Sequence, residues 1–298
     1  MLKIDNVSKS FSKVQALNNV SFEAKDGQIL GLIGQNGAGK STTFHSILHF
    51  IEFDGKITLD NHEITVKDFN EVGYLPEERS LFEDLTIESQ ITYFAELKGR
   101  DKNWVKERIN SWLQRFEVKG ETKDKIKSLS KGNQQKVQLI CTLIHEPKLV
   151  ILDEPFSGLD PVNADLLKKE IIRTKENGAA IIFSSHDMNN VEELCDNVVM
   201  LRNGNVVLNG SVDEIRNQFG KKHVFVTTDM SVNELAALDG VSDVVARGHN
   251  RYKITLSDEE YGKALFKAVS RGEYIEEFSQ QPPTLDEIFR EKAVAKHA

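Results

Sequence analysis

The sequence has few of the features that mark disulfide-bonded, membrane-spanning or nucleic-acid-binding proteins. It holds only two cysteines, Cys141 and Cys195, without metal-ligand spacing, so we expect buried thiols in a reducing compartment. No apolar run approaches the about 18 residues of a membrane span, and the first residues show no signal-peptide pattern. The formal net charge of −8 disfavours non-specific binding to nucleic acid or anionic lipid. We therefore expect a soluble chain that reaches a membrane only through a partner.

The chain is long and apolar enough to form packed cores. It has 298 residues, of which 39% are hydrophobic, and a length of this kind predicts about two domains. Its first part combines short strands at Leu2–Val7 and Val14–Phe22 with a hairpin, Gly55–Leu59 and Glu63–Val66, around Asp60-Asn61. From about Thr86 to His145 the apolar spacing becomes helical.

Three continuous apolar runs, Ile29–Ile33, Leu149–Leu152 and Ala179–Phe183, predict strands. The length of the last two suits parallel strands that are buried on both faces. Residues 1–220 are thus predicted to form an α/β core with an inserted helical subdomain at about 78–145.

A glycine-rich loop follows the first of these runs. Residues 34–42, GQNGAGKST, fit the phosphate-binding pattern G-x-x-x-x-G-K-[ST] in the required strand–loop–helix context. The backbone N–H groups of such a loop turn toward phosphates, and the helix adds its positive N-terminal end. Lys40 is expected to reach the terminal phosphates, and the Ser41 hydroxyl to ligate Mg²⁺. The expected nucleotide-binding residues here are Gly34, Asn36, Gly37, Gly39, Lys40, Ser41 and Thr42.

Two adjacent carboxylates follow the second apolar run. Asp153 comes directly after Leu152 and is expected to hold Mg²⁺, directly or through water. Glu154 points elsewhere and is a candidate general base for the attacking water. The alternative interpretation, a solvated acidic turn, is disfavoured because the chain already carries the phosphate loop.

A second anion-binding helix start lies between these two sites. Ser130 and Gly132 precede a helix-like segment, Gln134–Leu143. They predict either a simply capped helix or an anion site, which would serve a different copy of the ligand or a ligand shared with a second chain.

The order of these motifs resembles the nucleotide-binding subunit of an ABC transporter over about residues 1–220. Residues 34–42 match the family's Walker A motif, 149–154 its Walker B motif and 129–133 its signature motif. Asp160 closes a match to the D-loop, His186 matches the switch histidine at the γ-phosphate, and Phe11 lies where the family stacks an aromatic ring on adenine. The resemblance implies a P-loop NTPase fold, ATP and Mg²⁺ as ligands, and a head-to-tail dimer in which Ser130 and Gly132 face the partner's nucleotide.

Three residues in two segments depart from the family pattern. The signature motif has Lys131 and Asn133 where Gly and Gln are usual. Glu77 replaces a glutamine that touches Mg²⁺ and the lytic water and relays to the membrane subunit. Glu77 can still act at the catalytic and metal site, or it can be a solvated loop acid.

Residues 221–298 predict a small ferredoxin-like α+β domain with the order β-α-β-β-α-β. Its expected strands are Val224–Thr227, Val241–Ala246, Arg251–Thr255 and Tyr274–Phe278, and its helices are Val232–Leu238 and Asp258–Ser270. Thr284 and Glu287 form a capping-box pattern for a last helix. This tail resembles the accessory domain of bacterial ATPases that power two-component exporters, which implies a regulatory or dimer-stabilising role.

We expect an ATP-hydrolysing subunit that pairs with an identical copy on the cytoplasmic face of a bacterial membrane. It would power export through a separate polytopic permease, bind no nucleic acid, and receive the permease near Glu77, Leu81, Phe82 and Leu85. The main alternative is a soluble ABC-type ATPase acting on ribosomes or DNA. It is disfavoured because the chain has one set of motifs and an acidic balance. A non-hydrolysing assembly protein is disfavoured by Glu154.

Overall fold

The computed structural model describes residues 1–78 and 80–294, and its contacts divide the chain into two units. The first comprises Met1–Asn209, and the second begins at Gly210. The sequence placed this boundary later, at residues 220/221. Helix α7 (Val212–Asn217) belongs to the second unit, where it packs on the last helix and the Arg216 Nε donates to the Pro283 carbonyl over 3.0 Å. No described helix is both long and apolar enough to span a membrane.

The first unit is built from two sheets and six helices within the described residues. Its strands are β1 (Leu2–Phe11), β2 (Val14–Ala24), β3 (Ile29–Ile33), β4 (Asp54–Leu59), β5 (His62–Glu63), β6 (Val72–Leu75), β7 (Leu149–Leu152), β8 (Ala180–Ser185), β9 (Asn197–Arg202) and β10 (Asn205–Ser211). Its helices are α1 (Lys40–Ile47), α2 (Ile87–Leu97), α3 (Lys102–Arg115), α4 (Lys131–Leu143), α5 (Pro161–Glu176) and α6 (Met188–Leu194).

The larger sheet has the order β10-β9-β3-β8-β7-β6, and strands β9, β3, β8, β7 and β6 run parallel. All residues of β3, β7 and β8 are buried, as their continuous apolar sequences predict. The carboxyl ends of these three strands lie side by side, with Ile33 opposite Ser185 and Leu152 opposite Phe183. The loops that carry the three main motifs therefore emerge along one edge of the sheet.

The smaller sheet, β2-β1-β4-β5, is antiparallel and contains the expected hairpin. Asp60 and Asn61 both have positive φ, as a tight hairpin turn requires. The strand expected at Glu63–Val66 ends at Glu63, because the Thr65 N–H and hydroxyl both donate to the Asp68 carboxylate and begin a turn.

The inserted helical region consists of three helices. Thr86, Asp101 and Ser130 cap α2, α3 and α4, each accepting backbone N–H groups of the first turn. Between α3 and α4 the chain is not helical apart from one short 3-10 turn, because Glu117 and Gly120 have positive φ.

The second unit is a four-stranded antiparallel sheet with helices. Its elements after α7 are β11 (His223–Thr227), α8 (Val232–Ala236), β12 (Val241–Ala246), β13 (Arg251–Leu256), α9 (Gly262–Ser270), β14 (Phe278–Gln281) and α10 (Leu285–Val294). The strand order β12-β13-β11-β14 confirms the ferredoxin-like expectation.

Of two expectations for the second unit, the position of the last strand differs from the structure and the capping box agrees with it. The last strand was expected at Tyr274–Phe278 but is Phe278–Gln281, because Arg271 and Gly272 turn left-handed after α9 and Tyr274 is 88% exposed. The capping box is confirmed. The Glu287 N–H donates to the Thr284 hydroxyl, and its carboxylate accepts the Thr284 N–H over 2.9 Å.

Candidate functional site

The phosphate loop joins β3 to α1 in a conformation that depends on glycine. Gly34 and Gly39 have φ of +156° and +112°. A Cβ on Gly39 would lie 2.8 Å from the Ala16 carbonyl oxygen, and one on Gly34 would lie 2.5 Å from the Leu201 carbonyl oxygen. The Lys40 side chain is buried, and its Nζ donates to the Gly34 carbonyl over 2.8 Å. The loop thus surrounds an ammonium group whose hydrogen bonds go to backbone carbonyls.

Asp153 lies beside this loop, at the end of β7. It is 5% exposed, and its Oδ2 accepts a hydrogen bond from the Ser41 hydroxyl over 3.1 Å. Its Oδ1 accepts one from the Ser184 hydroxyl over 2.6 Å. Burial, with a smaller contribution from the Asp153 charge, raises the pKa of Tyr74 to about 12.

The donor set of Ser41 and Asp153 fits Mg²⁺. Mg²⁺ takes oxygen ligands and keeps several waters, so one carboxylate and one hydroxyl suffice as protein ligands. No group of three or more His, Cys, Asp or Glu side chains with metal-binding geometry occurs among the described residues. This arrangement suits a metal that is held jointly with phosphate oxygens.

Glu154 leaves the strand in a left-handed conformation, with φ of +48°. Its backbone N–H donates to the Ser184 hydroxyl over 2.8 Å. Its carboxylate Oε2 lies 2.9 Å from His186 Nδ1, with side-chain exposures of 12% for Glu154 and 73% for His186. The side chains of the residues predicted to be the general base and the switch histidine are therefore in contact.

The signature segment forms the start of α4. The Ser130 hydroxyl accepts the Asn133 backbone N–H and the Asn133 side-chain amide, the latter over 3.0 Å. An added Cβ on Gly132 would lie 3.4 Å from Asn163 Nδ2, on α5. Asp160 caps α5, and the Asn163 backbone N–H that it accepts lowers the pKa of the Asp160 carboxyl. The signature and D-loop segments are therefore neighbours.

The structure does not join these neighbours to the phosphate loop. Within the part of the chain described, the hydrogen bonds of Ser130 and Asp160 are made in their own helix caps.

Phe11 is 48% exposed at the end of β1, with Lys9 Nζ 5.2 Å from its ring centroid. Glu77 is exposed and makes no hydrogen bond with another described residue.

Two residues that the sequence analysis missed connect the motifs. The buried Gln135, on α4, donates its amide to the Pro155 carbonyl over 3.1 Å, immediately after the two carboxylates. Ser184 contacts both Asp153 and Glu154. Ser184 directly follows the apolar run Ala179–Phe183, and this position at the end of a buried strand, which Ser185 shares, is its signal in the sequence.

A largely apolar groove of about 380 Å³ lies between the core and the helical region. Its lining includes Phe50, Tyr74, Leu81, Phe94 and Leu97. Of the apolar residues expected to receive a permease, Leu81 lines this groove. Phe82 is half exposed and stacks on Phe94 at a centroid distance of 6.3 Å.

Comparison with known proteins agrees with this geometry. The family model "ABC transporter" matches residues 17–157, and "ATP-binding protein DrrA1-3-like, C-terminal domain" matches residues 210–293. The ABC transporter ATP-binding protein YhaQ of Bacillus subtilis is 39% identical over 296 residues, which is 99% of each chain. The linearmycin resistance ATP-binding protein LnrL of the same species is 28% identical and covers 97% of each chain.

A solved ATP-binding subunit of an ABC transporter is 33% identical and superposes with a TM-score of 0.69. It covers 74% of this chain and 93% of its own. The chain belongs to the family of ABC transporter ATP-binding proteins and is an ATPase of ATP-driven transport.

Proposed function

We propose that this ATPase works as one of two subunits on the cytoplasmic face of a bacterial membrane and powers export through a separate permease. The observation that carries the catalytic part of the proposal is the contiguous set of contacts from the phosphate loop through Ser41 and Asp153 to Glu154 and His186. This set unites a phosphate cradle, a metal-binding carboxylate and a general base at the edge of one sheet.

The residues divide the chemistry among themselves. Lys40 and the backbone N–H groups of residues 34–42 bind the β- and γ-phosphates, while Ser41 and Asp153 would hold Mg²⁺. Bound Mg²⁺ would neutralise charge on the phosphates. Glu154 takes the proton of the water that attacks the γ-phosphorus, and the bond to the ADP oxygen breaks. His186, 2.9 Å from Glu154, contacts the γ-phosphate and orients that carboxylate.

A second subunit completes the site. Ser130 and Gly132 start a helix whose positive end is free of the chain's own phosphate loop, so they suit the nucleotide of a partner. Asp160 lies beside them and takes part in the same contact. Phe11 stacks on adenine, and Glu77 serves the metal and lytic water. Charge-assisted hydrogen bonds to a γ-phosphate stabilise such a dimer by about 1.5–3 kcal/mol each, and hydrolysis removes them.

The groove beside Leu81 suits the permease. Exposed apolar surface of this kind, with Phe82, Tyr93 and Leu97 at its margin, marks a binding site for another protein. Export is supported by the relative LnrL, whose name assigns it to resistance, and by the match of residues 210–293 to the DrrA1-3-like domain. The chain's net charge of −8 argues against nucleic acid as the partner.

Substitution Glu154→Gln tests the catalytic assignment. We expect turnover to fall by about 10²–10⁴, the size of a general-base contribution, while ATP still binds. The variant should accumulate as an ATP-bound dimer, which light scattering detects as a doubled mass. Glu176→Gln, an exposed change at the end of α5, is the matched control. Normal hydrolysis by Glu154→Gln would refute the assignment of the base.

The permease assignment is tested by purifying the tagged chain from gently solubilised native membranes. We expect a polytopic membrane protein in stoichiometric amount. Recovery of ribosomal or DNA-associated proteins without a permease would replace this proposal with the soluble alternative.

A further inference from the structure

Ser184 occupies an unusual place in the site, because a single hydroxyl group contacts both carboxylate residues. It lies near the carboxyl end of β8 and is fully buried. Its Oγ donates to Asp153 Oδ1 over 2.6 Å and accepts the Glu154 backbone N–H over 2.8 Å. One donated and one accepted bond determine the orientation of the hydroxyl proton.

The donated bond makes the two carboxylate oxygens of Asp153 different from each other. Because Oδ1 is engaged by Ser184, Oδ2 is the oxygen that faces Ser41 at 3.1 Å. Asp153 therefore presents a defined oxygen toward the phosphate loop. A carboxylate free to rotate would have to lose that freedom each time a metal ion bound.

The accepted bond stabilises a strained backbone. A left-handed conformation of a non-glycine residue costs roughly 1–2 kcal/mol, and Glu154 adopts one, with φ of +48°. Its N–H points away from the strand ladder and is paired by the Ser184 hydroxyl. The bond therefore helps to hold the conformation in which the Glu154 carboxylate meets His186.

The neighbouring Ser185 shows that this role is specific to one of two serines. The Ser185 hydroxyl accepts the Asp187 N–H and donates to the Asp187 carbonyl, so it serves its own turn. A hydroxyl within a buried parallel strand is costly unless it is hydrogen-bonded. At Ser184 both bonds go to the residues after β7.

We propose that Ser184 is a positioning residue for ATP hydrolysis, which sets the oxygen that Asp153 offers to the metal and holds the backbone of Glu154. The inference rests on the roles proposed above for these two carboxylates. Changes in residues that orient metal ligands typically cost 10–100-fold in metal affinity or activity. Ser184→Ala should therefore lower kcat by about 10–100-fold and raise the Mg²⁺ concentration for half-maximal activity about tenfold.

The experiment compares Ser184→Ala with Ser184→Thr and Ser46→Ala in steady-state ATPase assays with Mg²⁺ titration. Thr keeps the hydroxyl and should restore most of the activity. Ser46 is equally buried, and its hydroxyl only donates to the Thr42 carbonyl inside α1, so its loss should leave kcat unchanged. The KM for ATP should stay within about threefold in all three, since the phosphate loop is intact.

Two results would overturn the inference: an unchanged kcat and Mg²⁺ requirement in Ser184→Ala, or a loss that Ser46→Ala reproduces. Unfolding followed by tryptophan fluorescence shows whether each variant is folded when assayed. Glu154→Gln is assayed in parallel. If it is inactive and Ser184→Ala is fully active, the proposed function stands and only the role of Ser184 fails. If Glu154→Gln is active, the base assignment itself fails.

Discussion

Replacing His145 with leucine should make the first unit more resistant to acid. His145 follows α4 and is 1% exposed, and neither ring nitrogen completes a hydrogen bond with a described residue. Burial and, less strongly, the charges of Lys98 and Arg100 together lower the pKa of His145 to about 4, although the backbone of Val72 opposes the shift. In the folded protein the imidazole is therefore neutral at any pH near 7.

The sign and size of the effect follow from proton linkage. Between pH 6.5 and pH 4 the unfolded chain binds a proton at His145 that the folded chain does not. Stability is therefore complete above pH 6.5 and is lost as the pH falls toward 4. At pH 5 the loss is about 1.5 pKa units, or about 2 kcal/mol. His145→Leu removes this loss, and at pH 8 it should cost little because it also removes two unpaired buried nitrogens.

Urea unfolding at pH 8 and pH 5 measures the difference. Trp104 and Trp112, the two tryptophans of the chain, both lie on α3, so fluorescence reports on the unit that contains His145. The control is His62→Leu. Asp68 raises the pKa of the exposed His62, so that substitution should act in the opposite direction as the pH falls. If the free energy of unfolding fell equally in wild type and His145→Leu between pH 8 and pH 5, the assignment of His145 as a buried, neutral side chain would be wrong.

Two further substitutions test the scaffold of the site. Gly39→Ala should weaken ATP binding by more than about tenfold, because the left-handed backbone costs about 1–3 kcal/mol and the methyl group strikes a carbonyl of β2. Calorimetry can compare this variant with Gly178→Ala. Gly178 also has a positive φ, but an added Cβ there would meet no atom within 4 Å, and the residue lies outside the phosphate loop. Glu170→Gln should lower the free energy of unfolding by about 3 kcal/mol, since it leaves the Arg115 guanidinium without its buried partner. The exposed Glu107→Gln should change it by less than about 1 kcal/mol in the same urea assay.

The sequence was sufficient to predict the sheet edge that carries the motifs because its signals are local. A run such as Leu149–Leu152 has one stable environment, the interior of a parallel sheet, and the polar residue that follows must lie at the sheet's edge. The phosphate loop is equally local, since Gly34 and Gly39 are needed by the backbone conformation itself. From these local features alone, the sequence assigned Lys40 and Asp153 to one site.

Long-range hydrogen bonds could not be predicted in the same way. The contact of Ser184 with Glu154 spans 30 residues, and that of Gln135 with Pro155 spans 20. Nothing in the local sequence distinguishes Ser184 from Ser185, although only the first reaches the carboxylates. The position of β14 was missed for a related reason, because strand pairing with β11 rather than β-propensity decides which residues join the sheet.

The hydrogen bonds of Asn133 show that a residue that departs from the family motif can have a structural role of its own. Asn133 is one methylene shorter than the usual glutamine, and its amide is used inside the chain, donating to the Ser130 hydroxyl and accepting the Lys119 N–H over 3.0 Å. The side chain therefore orders the helix start on which Ser130 lies. An ordered cap loses less conformational entropy when a phosphate arrives. Lys131 is exposed on the same turn and adds positive charge beside it. Both departures are therefore compatible with the proposed anion-binding role of this helix start, in which Ser130, the backbone and the charge of Lys131 would take the place of a long glutamine.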